Sequence, residues 1–264
     1  MIDRTTETGF AESELRAMER FLTARTIPLT YVTAESAVVH GTGVFYRSRG
    51  ELFLVTAAHV LRGINPALLG VPDRPAGNVE IWNLGDMAVH HPKEFEKFDV
   101  AVIELLNRNF IERVAMQWQF VDESEVQDDP HPNGQFVIAG YPTETVEDRG
   151  GTLMPAPMLQ LFTKPFEGST DSLVPEHDML VRYARTATGV FGAPRATPNL
   201  KGISGAAVYS ISSPKAMVWS PEQVLRLAGV QVSFKAGSFA RVTKWSLVTH
   251  LITLIRQRRG VGHG

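Results

Sequence analysis

The sequence predicts an all-β protein in which short strands form barrels or sandwiches. Three observations carry this. From residue 28 to residue 243 the chain is a succession of short apolar, β-branched segments. Clusters of Gly, Pro, Asp and Asn separate them, such as Ser48-Arg49-Gly50 and Pro72-Asp73-Arg74-Pro75. Long amphipathic helices at regular spacing are lacking, which removes the repeated strand–helix–strand unit. No repeat recurs at solenoid or propeller spacing.

The elements follow in order. Residues 10–25 place Leu15, Met18 and Leu22 on one helical face, so a short amphipathic helix docked on the body is expected. The first strand run comprises Pro28–Thr33, Thr42–Tyr46, Leu52–Thr56, Val79–Asn83, Ala88–His90 and Val100–Leu105. Residues 121–134 are acidic and rich in turn formers, and read as a linker. The second run comprises Gln135–Gly140, Met158–Phe162, Met179–Tyr183, Ala206–Ile211, Leu225–Val232 and Phe239–Val242. A helix over 245–258 closes the chain, with Trp245, Val248, Ile252 and Ile255 on one face and Gly260 just past its end. The expected division is a helical segment 1–26, a first β unit 27–120, the linker 121–134, a second β unit 135–243, and a helix with tail 244–264.

Composition narrows the function. The chain has 264 residues, enough for a sizeable core, and 26 Lys and Arg against 28 Asp and Glu. That balance argues against a nucleic-acid binder, which would carry a basic excess. The dense basic cluster Arg256, Arg258 and Arg259 reads as a solvated helix end, where cations suit the helix dipole. There are no cysteines, so an oxidising compartment gains no support. The opening MIDRTTETGF has no apolar signal-peptide core, and no apolar run reaches membrane-spanning length. The expectation is a cytoplasmic protein with no membrane and no nucleic-acid partner.

Three segments carry chemistry. In Leu54-Val55-Thr56-Ala57-Ala58-His59-Val60 an apolar strand runs into two small residues and a histidine, leaving the imidazole at a strand end. In Phe98-Asp99-Val100-Ala101-Val102-Ile103-Glu104-Leu105 an aspartate opens an apolar strand, where a buried charge needs a partner. In Gly202-Ile203-Ser204-Gly205-Ala206-Ala207-Val208 a serine stands between glycines before another strand. Each alone is commonplace: a structural histidine, a turn-capping aspartate, an ordinary glycine turn. Together they supply a weak nucleophile, a base to take its proton and a carboxylate to orient the base.

The three segments, in the order His, Asp, Ser, resemble the triad motifs of the trypsin/chymotrypsin family of serine proteases, in the style of its bacterial members. Gly41-Thr42-Gly43-Val44-Phe45 resembles the strand that precedes the histidine there. Val137-Ile138-Ala139-Gly140-Tyr141-Pro142 is similar to the strand that opens the second barrel, and Leu227-Ala228-Gly229-Val230-Gln231-Val232 to the strand after the serine. The resemblance covers about residues 36–243. It implies two packed antiparallel six-stranded β-barrels with short N-terminal and C-terminal helices. It implies His59, Asp99 and Ser204 as catalytic residues, with the backbone N–H groups of Gly202 and Ser204 as the oxyanion hole. It implies a specificity pocket formed by Asn199, Leu200, Val232, Ser233 and Phe234. No metal or other cofactor is implied, and the partner is a protein or peptide substrate.

The sequence departs from that pattern in two places. Ile203 stands where animal digestive members carry an aspartate that pairs with a newly cleaved N-terminus, so activation of that kind is not expected; a regulatory protein partner is the expected alternative. Ala206 and Ala207 follow the nucleophile where the family has Gly-Pro, and Ala206 would be strained if its φ were positive. The pocket base carries no carboxylate, which argues against a preference for Arg or Lys. Phe234 would narrow the pocket toward small side chains, whereas Lys235 or His177 would attract an acidic one. An α/β-hydrolase needs Gly-x-Ser-x-Gly and the order Ser, Asp, His, and both are missing. A catalytically weak or inactive interaction module on the same fold is the remaining alternative. His90, His91, His131 and Asp128-Asp129 supply metal-ligand types without a metal-site spacing.

Overall fold

The computed structural model describes residues 9–32, 37–75, 80–94, 97–131, 134–143, 147–149, 152–154, 158–188, 194–197, 200–212 and 219–261. The first half runs α1 (Glu12–Thr23), β1 (Thr26–Val32), β2 (Ala37–Ser48), β3 (Glu51–Thr56), β4 (Leu69–Pro72), β5 (Ile81–Asn83), β6 (Met87–His90), β7 (Ala101–Leu105), α2 (Arg108–Ala115) and β8 (Val121–Asp122). The second runs β9 (Gln135–Gly140), β10 (Glu147–Arg149), β11 (Thr152–Met154), β12 (Leu159–Thr163), β13 (Asp178–Arg182), β14 (Thr186–Thr188), β15 (Pro194–Ala196), β16 (Ala207–Ile211), α3 (Pro221–Val224), β17 (Leu225–Lys235), β18 (Phe239–Lys244) and α4 (Trp245–Val261).

The strands form two curled, mainly antiparallel sheets, as the all-β, two-barrel reading expects. The first has the order β5-β4-β1-β2-β3-β7-β6, with β8 pairing to β2 in parallel; the second has the order β12-β9-β16-β17-β18-β13. The pairs β10-β11 and β14-β15 stand apart from both. The second sheet has the expected six strands. The first has eight because β4 and β8 add short segments whose side-chain pattern is too brief to signal a strand. β4 is Leu-Gly-Val-Pro, and Gly and Pro both weaken a strand reading.

Alternation decides what each strand buries. On β16, Ala207 and Tyr209 face the large core between the sheets, whereas Val208, and Ala206 just before the strand, face a smaller cluster inside the second sheet. The large core joins Phe45, Val55 and Val102 of the first sheet to Val137, Tyr209 and Val230 of the second. Burial of each large apolar side chain contributes about 1.5–3 kcal/mol.

Both terminal helices dock on that core. α1 buries Leu15, Met18, Phe21 and Leu22, and the Phe21 ring meets Tyr209 edge-on at 6.1 Å. α4 buries Trp245, Val248, Ile252 and Ile255, and Trp245 meets Tyr46 edge-on at 5.1 Å. The basic cluster on α4 differs from the solvated end expected. Arg256 donates to Glu51 Oε2 at 2.5 Å and to Ser48 O at 2.6 Å, and Arg259 pairs with Glu51 at 2.8 Å and with Glu104 at 2.5 Å. Tertiary carboxylates override the preference for water, and of the three only Arg258 has no pairing of this kind among the described residues. α2 carries no signal beyond Phe110 and Val114, and Asn107 caps it by accepting from Phe110 N at 3.1 Å. Val121 and Asp122 pair with β2, and Gln127 N donates to Leu227 O at 2.9 Å, so the acidic segment is stitched to both sheets. No helix among the described residues is long and apolar enough to cross a membrane.

Candidate active site

The register of β3 against β7 brings His59 to Asp99. The ladder ends at the pair Thr56 with Ala101, so the chain leaving β3 and the chain entering β7 meet at one edge. Ala57 and Ala58 are buried there, and a 3₁₀ turn over Ala58–Leu61 carries His59. Asp99 closes the turn with both oxygens. Oδ1 accepts from the His59 backbone N–H at 2.8 Å, and Oδ2 lies 2.6 Å from His59 Nδ1. The Ala58 N–H donates to the Asp99 carbonyl at 3.3 Å. An ionised carboxylate only accepts, so Nδ1 is the donor at this contact, which leaves Nε2 as the nitrogen able to take a proton. The His59 side chain is 38% exposed against 18% for Asp99, so the imidazole is the more open of the two and the carboxylate the more sheltered.

The serine turn is held by β2. Thr42 N donates to Ser204 O at 2.8 Å, and Thr42 Oγ1 donates to Gly202 O at 3.2 Å while accepting from Tyr141 N at 3.1 Å. Thr56 Oγ1 donates to Thr42 O at 2.7 Å. Two fully buried threonines thus join the end of the histidine strand to the serine turn. The glycines are required by space. A Cβ on Gly205 would lie 1.9 Å from Thr42 O and 2.2 Å from Thr56 Oγ1, and its φ is +89°. A Cβ on Gly41 would lie 2.6 Å from Val60 and 3.2 Å from Ser204 O, so Gly41 is the point where the two loops close on each other.

Backbone donors in this turn divide in a regular way. Ile203 N–H donates to Leu200 O at 3.2 Å, Gly205 N–H to Gln231 O at 2.8 Å and Ala206 N–H to Ile203 O at 2.7 Å. The N–H groups of Gly202 and Ser204 donate to no described residue. The Ser204 hydroxyl likewise has no partner among the described residues. Ala206 is unstrained, because the described residues with positive φ are glycines and Arg49. Its methyl packs on Gly140, where a Cβ would lie 2.9 Å away. Ile203 is fully buried in the small cluster, with no carboxylate for an N-terminus to meet.

The residues expected to line a pocket do not all converge. Leu200 lies in the small cluster, and Phe234 packs against it with its ring edge-on to Tyr183 at 5.7 Å. Val232 faces the large core instead, Ser233 is exposed, and Asn199 lies outside the described residues. Behind the serine turn, Gln231 is fully buried, and neither atom of its side-chain amide has a partner among the described residues.

Sequence reasoning missed Thr42, Thr56 and Arg241. Arg241 of β18 is buried with Asp178 at 2.9 Å and donates to the carbonyl of Lys97, two residues before Asp99, at 2.5 Å. The signal available was a polar residue at a buried strand position.

No protein-family model matches the sequence, and no curated protein matches it. Among solved structures, the chain is similar to the scabies mite inactivated protease paralogue S-I1, with a TM-score of 0.57 and 14% identity over 89% of this chain and 96% of that one. It is also similar to the serine protease domain of the Sesbania mosaic virus polyprotein, with a TM-score of 0.50 and 14% identity over 86% and 91%. At that identity the likeness establishes the trypsin/chymotrypsin fold.

Proposed function

We propose that the chain is a serine endopeptidase that forms an acyl-enzyme on Ser204. The observation that carries this is the His59–Asp99 pair at 2.6 Å, clamped by Thr42 and Thr56 to a serine turn whose Gly202 and Ser204 N–H groups donate to no described residue. In the reaction, Ser204 Oγ attacks the scissile carbonyl carbon and its proton passes to His59 Nε2. The Gly202 and Ser204 N–H groups take the charge that develops on the carbonyl oxygen. His59 then gives the proton to the leaving amine as the C–N bond breaks. Water repeats the sequence on the acyl ester and frees Ser204. Asp99 orients His59 and stabilises its charged form. The buried Ile203 supports an enzyme that needs no N-terminal cleavage to organise this turn.

A second reading, a non-catalytic module on the same fold, is favoured by the unformed Ser204–His59 hydrogen bond and by the inactivated mite neighbour. Hydrogen bonds of this kind often tighten only with substrate present. A fluorophosphonate probe separates the readings. The unprocessed chain is expected to label covalently, and Ser204→Ala and His59→Ala are expected to abolish labelling. A folded wild-type chain that never labels would establish the module.

A further inference from the structure

A groove of about 720 Å³ lies beside the proposed active site, between β6, the loop that follows it and α4. Its floor is aliphatic: Leu247, Leu251, Leu254 and Ile255 of α4, with Val89 of β6. Every titratable side chain among its described lining residues is basic. His90, His91, Lys93, His177, His250 and Arg258 surround the floor, and no described lining residue is acidic. Glu104 approaches beneath His90 at 3.6 Å, but Arg259 holds its carboxylate at 2.5 Å. Phe98 forms one wall, with its ring edge-on to His177 at 5.1 Å, while the next residue, Asp99, faces His59.

We infer that this groove binds an acidic peptide segment whose carboxylates alternate with aliphatic side chains. The size lies within the range of formed ligand sites. The aliphatic floor would bury Leu- or Ile-like side chains, and the basic rim would pair with carboxylates, giving orientation and steering. A nucleic acid fits less well, because it would call for aromatic stacking platforms, and Phe98, the one Phe, Tyr or Trp among the described lining residues, already meets His177 edge-on. The site is separate from the Ser204 turn, so this inference does not depend on peptidase activity.

The test uses the full chain carrying Ser204→Ala, so that no probe is cleaved. A fluorescein-labelled peptide of alternating Glu and Leu is followed by anisotropy, beside the same peptide with Gln in place of Glu. The Glu peptide is expected to bind at least about tenfold tighter than the Gln peptide. Arg258→Glu and His250→Glu, both at exposed positions, are each expected to weaken binding about tenfold. Arg20→Glu, on α1, is expected to leave binding unchanged. Circular dichroism establishes that each variant is folded. Equal affinity for the two peptides, no binding by the folded chain, or equal weakening by Arg20→Glu would overturn the inference. Displacement of the peptide by single-stranded RNA at lower concentration than by unlabelled peptide would overturn it in favour of nucleic acid.

Discussion

Thr42 is the residue on which the site turns. Its backbone N–H, carbonyl and hydroxyl make four hydrogen bonds, to Ser204, Gly202, Tyr141 and Thr56. Valine has the shape of threonine without the hydroxyl, so Thr42→Val would strand Gly202 O and Tyr141 N in a buried position. The expected cost is about 1–3 kcal/mol in urea unfolding, together with slower fluorophosphonate labelling as the serine turn loosens. Gln231 makes the opposite case. Its buried amide has no partner among the described residues, and an unpaired buried amide carries a desolvation penalty. Gln231→Met keeps the volume and removes the polar atoms, so thermal unfolding is expected to move to higher temperature; a lower midpoint would mean that the amide is satisfied in solution.

At the scale of elements, strand pairing brings His59 to Asp99, and a strand of the other sheet steadies the approach. Arg241 on β18 and Asp178 on β13 form a pair with side chains 6% and 0% exposed. Thr243 Oγ1 and the Val174 N–H also donate to Asp178. Removing one partner leaves a charge buried alone, so Arg241→Met is expected to cost about 3–5 kcal/mol. Adding Asp178→Asn should recover part of that loss, a result that urea denaturation of the single and double variants would read directly. The same arginine holds Lys97 O, so the single variant also frees the loop that delivers Asp99.

For the whole molecule, the terminal helices join what the sheets leave open. Trp245 is fully buried against Tyr46 at the root of α4, and Arg256 and Arg259 fasten the far end of the helix to Glu51 and Glu104. Trp245→Ala is expected to cost about 3–5 kcal/mol by leaving a cavity between the sheets, measurable as a lower thermal midpoint. Arg256 and Arg259 show how tertiary context changes a local reading. Three arginines at a helix end suit the helix dipole wherever they point. Only the packed helix shows which of them reach carboxylates some two hundred residues away in sequence.

The sequence by itself determined the all-β class, twelve of the strands, both terminal helices and the three segments that carry His59, Asp99 and Ser204. Alternation, turn formers and residue chemistry are local, so they survive in one dimension. It missed β4, β8, β10, β11, β14 and β15, because a strand of two to four residues has too little period to detect. It gave no hint of the roles of Thr42, Thr56 and Arg241, which arise from partners as far as 160 positions away and beyond. Only the tertiary structure decided that Asp99 meets His59, that Gly205 rather than Ala206 bears the positive φ, and that Val232 leaves the expected pocket for the core between the sheets. Those outcomes depend on register and bulges, which long-range pairing sets and local sequence does not.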